Sequence, residues 1–256
     1  MKWTRGALTS LLAWTLLVAP AAAQEEAPPP PEGMPAATGG EAKPPQPEEA
    51  PPAPVARPAT WYAQALAHSE VGINVTHFWS KGPLLRAETV VIGRRVITIV
   101  NGDTYYAYDG LGRTGVAVGR DPSAIEKDGE RERPFGNELV ALVEQGAESV
   151  CFENLGGREV EVFRVTDDRG RRQVWVTPGE ERLPLRIEVF RRQTAQTLST
   201  EFLNWMSGIP ISDDFFEPEP GIDFVHLGFE EYLLRQADGK PLGPVPIFST
   251  DLLHSR

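Results

Sequence analysis

The chain has 256 residues and a formal net charge of −11 at pH 7, from 25 basic and 36 acidic side chains. Nucleic acid and anionic membrane surfaces repel a chain this acidic, so we exclude nucleic-acid binding. The single cysteine, Cys151, excludes an internal disulfide. A domain of about 200 residues without disulfides must be held together by its hydrophobic core.

Residues 1–23 have the three-part layout of a secretory signal peptide. A positive start at Lys2 and Arg5 precedes an apolar run of about 12 residues at 7–18, which is too short to cross a ~30 Å hydrocarbon core as a helix. We predict cleavage after Ala23 and export to the periplasm, with no transmembrane segment in the mature chain. Loss of the two positive residues takes the net charge from −11 to −13. An uncleaved N-terminal anchor is the competing interpretation.

Residues 24–58 predict a disordered linker rich in proline, glutamate and alanine. The segment holds 12 prolines in 35 residues and has no aromatic or β-branched cluster that could build a core. Such a composition favours extended, partly polyproline-II chain, a spacer of up to roughly 3 Å per residue. A tether that lets the domain reach across a gap and a spacer without a partner are both consistent with it.

The first part of the domain predicts a short helix followed by strands. Thr60 is placed to cap a helix over 61–68. Runs rich in β-branched and aromatic residues then predict strands at 73–79, 88–92, 95–100 and 104–108, with one more marked by Val116 and Val118. Asn-Gly-Asp at 101–103 and Asp-Gly at 109–110 are typical of hairpin turns.

Helical periodicity returns at residues 138–145. Asn137 is predicted as the N-cap, and Gly146 suits the position just after the helix. The apolar face of this helix consists of Leu139, Leu142 and Val143. A helix with one apolar face is expected to pack that face against the rest of the domain.

Strand signals resume at residue 149 and continue to about 203. Between Leu183 and Phe190, apolar residues alternate with Pro184, Arg186 and Glu188, which predicts one buried face and one wet face. Without strand–helix alternation, the pattern indicates a mainly β fold, a curved antiparallel meander with short helices. We place this domain at 59–227, followed by a tail at 228–256 that holds a short helix at 230–236 and has no assigned role.

No motif in the sequence calls for catalysis or a metal. The four histidines are scattered, and nucleophile elbows, phosphate-cradling loops and dinucleotide fingerprints are missing. We therefore predict a protein that is not an enzyme and that has no cofactor and no metal site. Cys151, within the apolar run at 150–152, is predicted to be a buried, inert thiol.

Several short motifs resemble LolA/LolB-like proteins, the periplasmic outer-membrane lipoprotein-sorting family. They are the strand at 183–190, Thr-Glu-Phe-Leu-Asn-Trp at 200–205, Phe-Phe-Glu-Pro at 215–218 and the hairpin at 102–109. The resemblance implies a half-barrel of about eleven strands whose short covering helices act as a lid over an apolar cavity for acyl chains. The Arg-Pro-x-x-Phe-Arg element of the family's second strand is missing, so no lid-latching role is carried to Arg86.

These observations predict a monomeric periplasmic carrier or binding protein for a lipid, a lipoprotein acyl chain or another hydrophobic ligand. The predicted cavity wall is Val96, Trp175, Leu185, Ile187, Val189 and Phe202, and the predicted underside of the lid helix is Leu139, Leu142 and Val143. For each of these residues the competing interpretation is simple core. The alternatives are a stress-sensing module with an envelope protein partner and a structural protein with a filled barrel. A hydrolase is a more distant alternative, because no nucleophile–base pair is visible.

Overall fold

In the computed structural model, the described residues are 59–69, 72–91, 93–239 and 250–253. The predicted signal peptide and the predicted linker lie outside them. The strands are β1 Thr60–Ser69, β2 Gly72–Lys81, β3 Leu84–Val91, β4 Arg94–Asn101, β5 Thr104–Asp109, β6 Thr114–Gly119, β7 Glu148–Leu155, β8 Arg158–Thr166, β9 Gly170–Val176, β10 Pro184–Arg191, β11 Gln196–Ser207 and β12 Asp223–Leu227. The helices are α1 Pro122–Asp128, α2 Glu138–Glu144, α3 Phe229–Ala237 and α4 Thr250–Leu253, with a 3-10 turn at Asp213–Phe216. None of these described helices has the length and apolarity needed to cross a bilayer.

All twelve strands form one sheet in the order β12-β6-β5-β4-β3-β2-β1-β11-β10-β9-β8-β7. The sheet is curved and open, and the predicted mainly β, antiparallel half-barrel with short helices is confirmed. The described residues form twelve strands, against the roughly eleven that the resemblance implied. β12 was not predicted from the sequence, where prolines and a glycine precede it, and it pairs with β6 in parallel.

The predicted helix over residues 61–68 is wrong, because this segment is strand β1. Trp61, Ala63 and Ala65 are buried, whereas the residues between them are only half-buried. Burial with a period of two is the signature of a strand. The segment is rich in alanine rather than in β-branched residues, so its intrinsic propensity favours a helix. It is a strand because it pairs with β2 on one side and with β11 on the other.

The helices cover one face of the sheet, here called the helix-covered face. A first hydrophobic cluster there includes Trp61, Ala65, Val100, Tyr105, Phe135 and Phe202, joined by Tyr232 of α3 and by Leu252 and Leu253 of α4. A second cluster on the same face lies beneath α2 and consists of Leu139, Leu142, Ala147, Phe163, Val174 and Val176.

The opposite face carries two smaller clusters. One contains Val160, Val162, Trp175 and Leu185, and the other contains Ile97, Ile99 and Tyr108. The segment between β11 and β12 packs on this face, where Phe215 meets the Trp79 ring edge-on. On the same face, Phe224 of β12 meets the Tyr106 and Tyr108 rings edge-on. The clusters on the two faces together account for the core that a disulfide-free domain needs.

Helix α2 begins and ends close to the predicted 138–145. Asn137 occupies the N-cap position, but its side chain makes no capping bond and instead donates to the Arg133 carbonyl at 2.7 Å. Gly146 follows with φ +86°, a conformation that favours glycine. The expected helix at 230–236 is confirmed as α3, whereas α1 and α4 were not predicted. The boundary at residue 227 between domain and tail stays a prediction.

Candidate functional site

The six predicted wall residues lie on two different faces of the sheet. Those on the helix-covered face are Val96, Ile187, Val189 and Phe202, and those on the opposite face are Trp175 and Leu185. A single cavity wall made of all six is therefore wrong. The helix-covered face keeps four of them.

An irregularity in β10 separates Leu185 from Ile187. Pro184 pairs with Val176 and Arg186 with Trp175, so the register shifts by one residue between them. Proline cannot donate to the ladder, and a bulge is where a sheet tolerates it. The alternation in the sequence predicts that Leu185 and Ile187 lie on the same face. The register shift between them exchanges the faces, so the two side chains pack on different sides of the sheet.

Helix α2 packs on the sheet through two of the three residues predicted as its underside. Leu139 and Leu142 are buried against β8 and β9, where they contact the cluster that contains Phe163 and Val174. Val143 is 46% exposed and does not form the underside of α2. The buried face of this seven-residue helix therefore contains only Leu139 and Leu142.

Ile187 lies where the two clusters of the helix-covered face meet. It is only partly buried, yet it packs against both the first cluster and the second cluster beneath α2. Its neighbours along the same face, Val189, Leu198 and Thr200, are also half-buried. This strip is an incompletely covered apolar surface between α2 and the first cluster.

A stack of aromatic rings borders this strip. The Phe135 ring lies between Phe78 and Trp205, with centroids 5.1 and 5.5 Å away and interplanar angles of 18° and 8°. Trp205 also stacks on Phe202 at 5.4 Å and meets Trp61 edge-on at 6.3 Å. The sequence patterns did not reveal this stack, although the aromatic residues themselves were visible.

An irregularity in β11 brings Trp205 into the stack. Residues 204 and 205 lie opposite the single Ala63 of β1, and Asn204 takes a φ of +55°. Asparagine tolerates this left-handed conformation better than most residues. Its side chain donates to Gln64 Oε1 at 3.1 Å, which helps to hold the turn.

Arg133 lies between two indole rings of the first cluster. Its guanidinium carbon is 5.0 Å from the Trp61 ring centroid and 5.1 Å from that of Trp205, a cation–π geometry. Nη1 donates to Glu132 and Nη2 to the Gly136 carbonyl, whereas Nε has no partner among the described residues. Burial lowers the pKa of this arginine, so the site holds a poorly solvated positive charge.

Glu138, the first residue of α2, is a second poorly solvated charge. Burial raises the pKa of its carboxyl to about 7, with a smaller raising effect from Asp251 and an opposing one from Arg133. Its Oε2 atom has no hydrogen-bond partner in the described part of the chain. The N-terminus of α2 therefore carries a group that titrates near neutral pH.

The opposite face carries an aromatic row and an ion-pair network. Tyr62 bonds to His77 Nδ1 at 2.9 Å, and Trp79 stacks beside His77 at 5.7 Å. Glu88 accepts from both Arg86 and Arg95. His77 is thus a structural histidine that is part of an aromatic row.

Cys151 is half-exposed on β7, so the predicted burial of its thiol is wrong. Its Sγ lies 3.4 Å from Glu153 Oε1. Partial burial and the bond to Glu153 raise the pKa of the thiol, which favours the unreactive protonated form.

Chemistry-bearing clusters are scarce in the residues that the structure describes. Among them, no group of three or more His, Cys, Asp or Glu side chains is arranged to hold a metal ion. A shallow depression is lined by Gly82, Pro83, Asp128, Arg131, Arg133 and Pro134. It leaves essentially no space for a water-sized molecule, and its charged lining does not suit an acyl chain.

The solved structures similar to this chain share little of its sequence. An uncharacterized conserved protein from Thermus thermophilus has a TM-score of 0.47 and 8% identity, over 65% of this chain and 90% of that one. Pseudomonas aeruginosa MucB, solved with MucA, has a TM-score of 0.41 and 14% identity, over 66% and 59%. A putative outer membrane lipoprotein-sorting protein domain from Vibrio parahaemolyticus has a TM-score of 0.30 and 13% identity, over 62% and 89%. At these scores the likenesses carry no inference about what this chain binds.

Comparison with curated proteins gave no match. One family model does match, over residues 144–229, the segment from the last residue of α2 to the first residue of α3. Its description agrees with the periplasmic location predicted from the leader. This segment is similar to a family of predicted periplasmic proteins, DUF2092.

Proposed function

We propose that the chain is a monomeric, non-enzymatic periplasmic protein that binds a lipid, an acyl chain or another hydrophobic ligand on its helix-covered face. The observation that carries this proposal is the position of Ile187, which is half-exposed where two apolar clusters meet. An acyl chain laid along the strip of Ile187, Val189 and Leu198 would contact apolar side chains on both sides. Each methylene that it buries contributes about 0.8 kcal/mol.

Helix α2 would act as the movable cover of this site. It has only seven residues, is anchored by Leu139 and Leu142, and lacks a side-chain cap at its N-terminus. Gly146 supplies a flexible joint at the other end. Lifting α2 would join the second cluster to the half-exposed strip and lengthen the apolar surface available to the ligand.

The test is uptake of a fluorescent fatty-acyl probe by the full-length chain, with native mass spectrometry of protein purified without detergent. We expect a bound species of lipid mass and saturable probe uptake. Ile187→Ser should weaken uptake about tenfold, because it places a hydroxyl in the strip. Val143→Ser, on the exposed side of α2, is the matched control. Equal uptake by the wild type and by folded Ile187→Ser would refute the proposal that the ligand binds on this strip.

A second candidate, an interaction module for an envelope protein, is favoured by the apolar residues on the opposite face. Tyr62 of β1 pairs with Met206 of β11 and with Trp79 of β2, and Met206 and Leu203 are exposed. Exposed apolar and aromatic side chains grouped on one surface are typical of protein interfaces. A photo-crosslinker at position 206 should then capture one defined partner in the periplasm, and a crosslinker at the exposed residue Leu111 should not.

A further inference from the structure

The strand β7 stands at one end of the sheet and has a free edge. In the described part of the chain it pairs with β8 alone, so one row of its backbone N–H and C=O groups faces away from the sheet. The other end of the sheet is β12, with five residues against the eight of β7. An unpaired edge of this length is a template for a further strand.

β7 exposes large apolar side chains along this edge. Phe152 is 61% exposed and Val150 is 44% exposed, and only Cys151 and Leu155 of the strand are even half-buried. Natural sheets usually protect a free edge with charge, a bulge or a covering segment. β7 has an irregularity between Ser149 and Cys151, but residues 151–155 pair in regular register, and Phe152 lies in that regular part.

The charges around this edge select the partner. The β7–β8 hairpin carries Glu148, Glu153, Glu159 and Glu161 against Arg158 and Arg164, and the whole chain has a net charge of −11. Two such chains repel each other, which disfavours edge-to-edge pairing of two copies. A basic segment is attracted instead.

We propose that β7 binds an extended peptide segment in which basic and apolar residues alternate, by adding it to the sheet as a further strand. Backbone hydrogen bonds to the free edge supply affinity. The pairing of β7 with β8 puts Glu159 and Glu161 on the same face as Phe152, so the basic side chains of the added strand stand on that face, where they contact the Phe152 ring and approach both carboxylates. The alternate apolar side chains stand on the other face, beside Cys151 and Leu155. This site is on a different element from the strip at Ile187 and does not depend on a ligand there.

The probe is a fluorescein-labelled nonapeptide of alternating lysine and valine, and binding to the full-length chain is measured by anisotropy. We expect saturable binding that falls about tenfold in Phe152→Ser. Leu111→Ser, which removes another exposed large apolar side chain, in the β5–β6 turn, should leave binding unchanged. A copy N-methylated at its three central peptide nitrogens keeps sequence and charge, but its central residues cannot donate to a neighbouring strand, and it should not bind.

Hydrogen exchange locates the probe without any substitution. On saturation, amides within residues 149–155 should become protected, because those on the free edge gain a partner. Binding of the N-methylated copy as tightly as the parent would show adsorption by charge alone and overturn the proposal. Protection confined to another strand, or an equal loss in Leu111→Ser and Phe152→Ser, would overturn it as well. Loss of acyl-probe uptake in Ile187→Ser with peptide binding intact separates the two sites.

Discussion

Gly136 and Trp205 approach so closely that a β-carbon on residue 136 would lie 2.6 Å from Cη2 of the indole ring. Gly136 also has a φ of +73°, a conformation that side chains rarely adopt. The contact fixes the segment that carries Phe135 and Arg133 against the first cluster. It is the point at which the loop before α2 is tied to the far end of β11.

Replacing this glycine tests that contact. Gly136→Ala should lower the free energy of unfolding by about 2–4 kcal/mol, because a steric clash with Trp205 adds to backbone strain. Gly146→Ala is the control, since it has a φ of +86° but nothing within 4 Å of its added carbon, and should cost only about 1 kcal/mol. Urea denaturation of both variants measures the difference. Equal losses would mean that Trp205 moves away freely.

The packing of α2 is tested by two neighbouring residues on the same helix. Leu142→Ala should cost about 2–3 kcal/mol, because it leaves a cavity over Phe163 and Val174. Val143→Ala should cost less than about 0.5 kcal/mol, since the side chain is largely exposed. Denaturation midpoints of the two variants report the difference. A larger loss in Val143→Ala would mean that the helix presents a different face to the sheet.

The carboxyl of Glu138 should make stability depend on pH near neutrality. Its pKa is about 7 in the folded chain against a reference value of 4.5, so the folded state binds more protons between these values. The free energy of unfolding should therefore fall as the pH rises from 4.5 to 7 and level off above.

Glu138→Gln should flatten this dependence and raise stability at pH ~8 by about 1–3 kcal/mol. Glu144→Gln, at the exposed end of the same helix, should leave the profile of the wild type unchanged. Thermal unfolding across this pH range measures all three proteins. Parallel profiles for the wild type and Glu138→Gln would assign the pH dependence to another group.

Arg120 is a buried hub that joins three parts of the fold. Its guanidinium donates to both carboxylate oxygens of Asp128 at 2.8 and 2.9 Å and to the carbonyls of Gly102 and Leu252. Arg120→Met should cost about 3–5 kcal/mol, because it leaves the largely buried carboxylate of Asp128 unpaired. Arg235→Met removes an exposed pair with Glu231 and should cost less than about 0.5 kcal/mol. Chemical denaturation gives both values, and similar costs would mean that water replaces the Arg120 bonds.

The strands were predictable wherever alternation and turn residues coincided. The hairpin from β4 to β5 follows from β-branched runs around Asn101-Gly102-Asp103, and Gly102 takes the φ of +59° that this turn needs. β1 was not predictable from local preference, because its buried positions include Ala63 and Ala65. Only pairing with strands on both sides makes this segment extended.

The candidate site was predictable only in part, because irregular strands change which way a side chain points. Leu139, Leu142 and Ile187 lie where their spacing placed them. Leu185 lies on the opposite face, because the register shift after Pro184 changes the side of the sheet to which its side chain points. A periodic sequence pattern does not reveal such a shift. The role of Trp205 likewise depends on the left-handed Asn204, which a sequence pattern does not reveal.

The position of β1 in the middle of the sheet has a consequence for how the chain folds. Its hydroxyl at Thr60 donates to the carbonyl of Ile209, 149 residues later, and β1 joins the two halves of the sheet by pairing with β11. The free edge of β1 cannot pair until β11 has been synthesised, so the β1–β11 pairing that joins the two halves of the sheet forms late. Pairing across so long a loop is slow. We expect the newly made chain to remain without its full sheet for most of its synthesis, which is the condition under which an unfolded polypeptide can be threaded through a secretion channel.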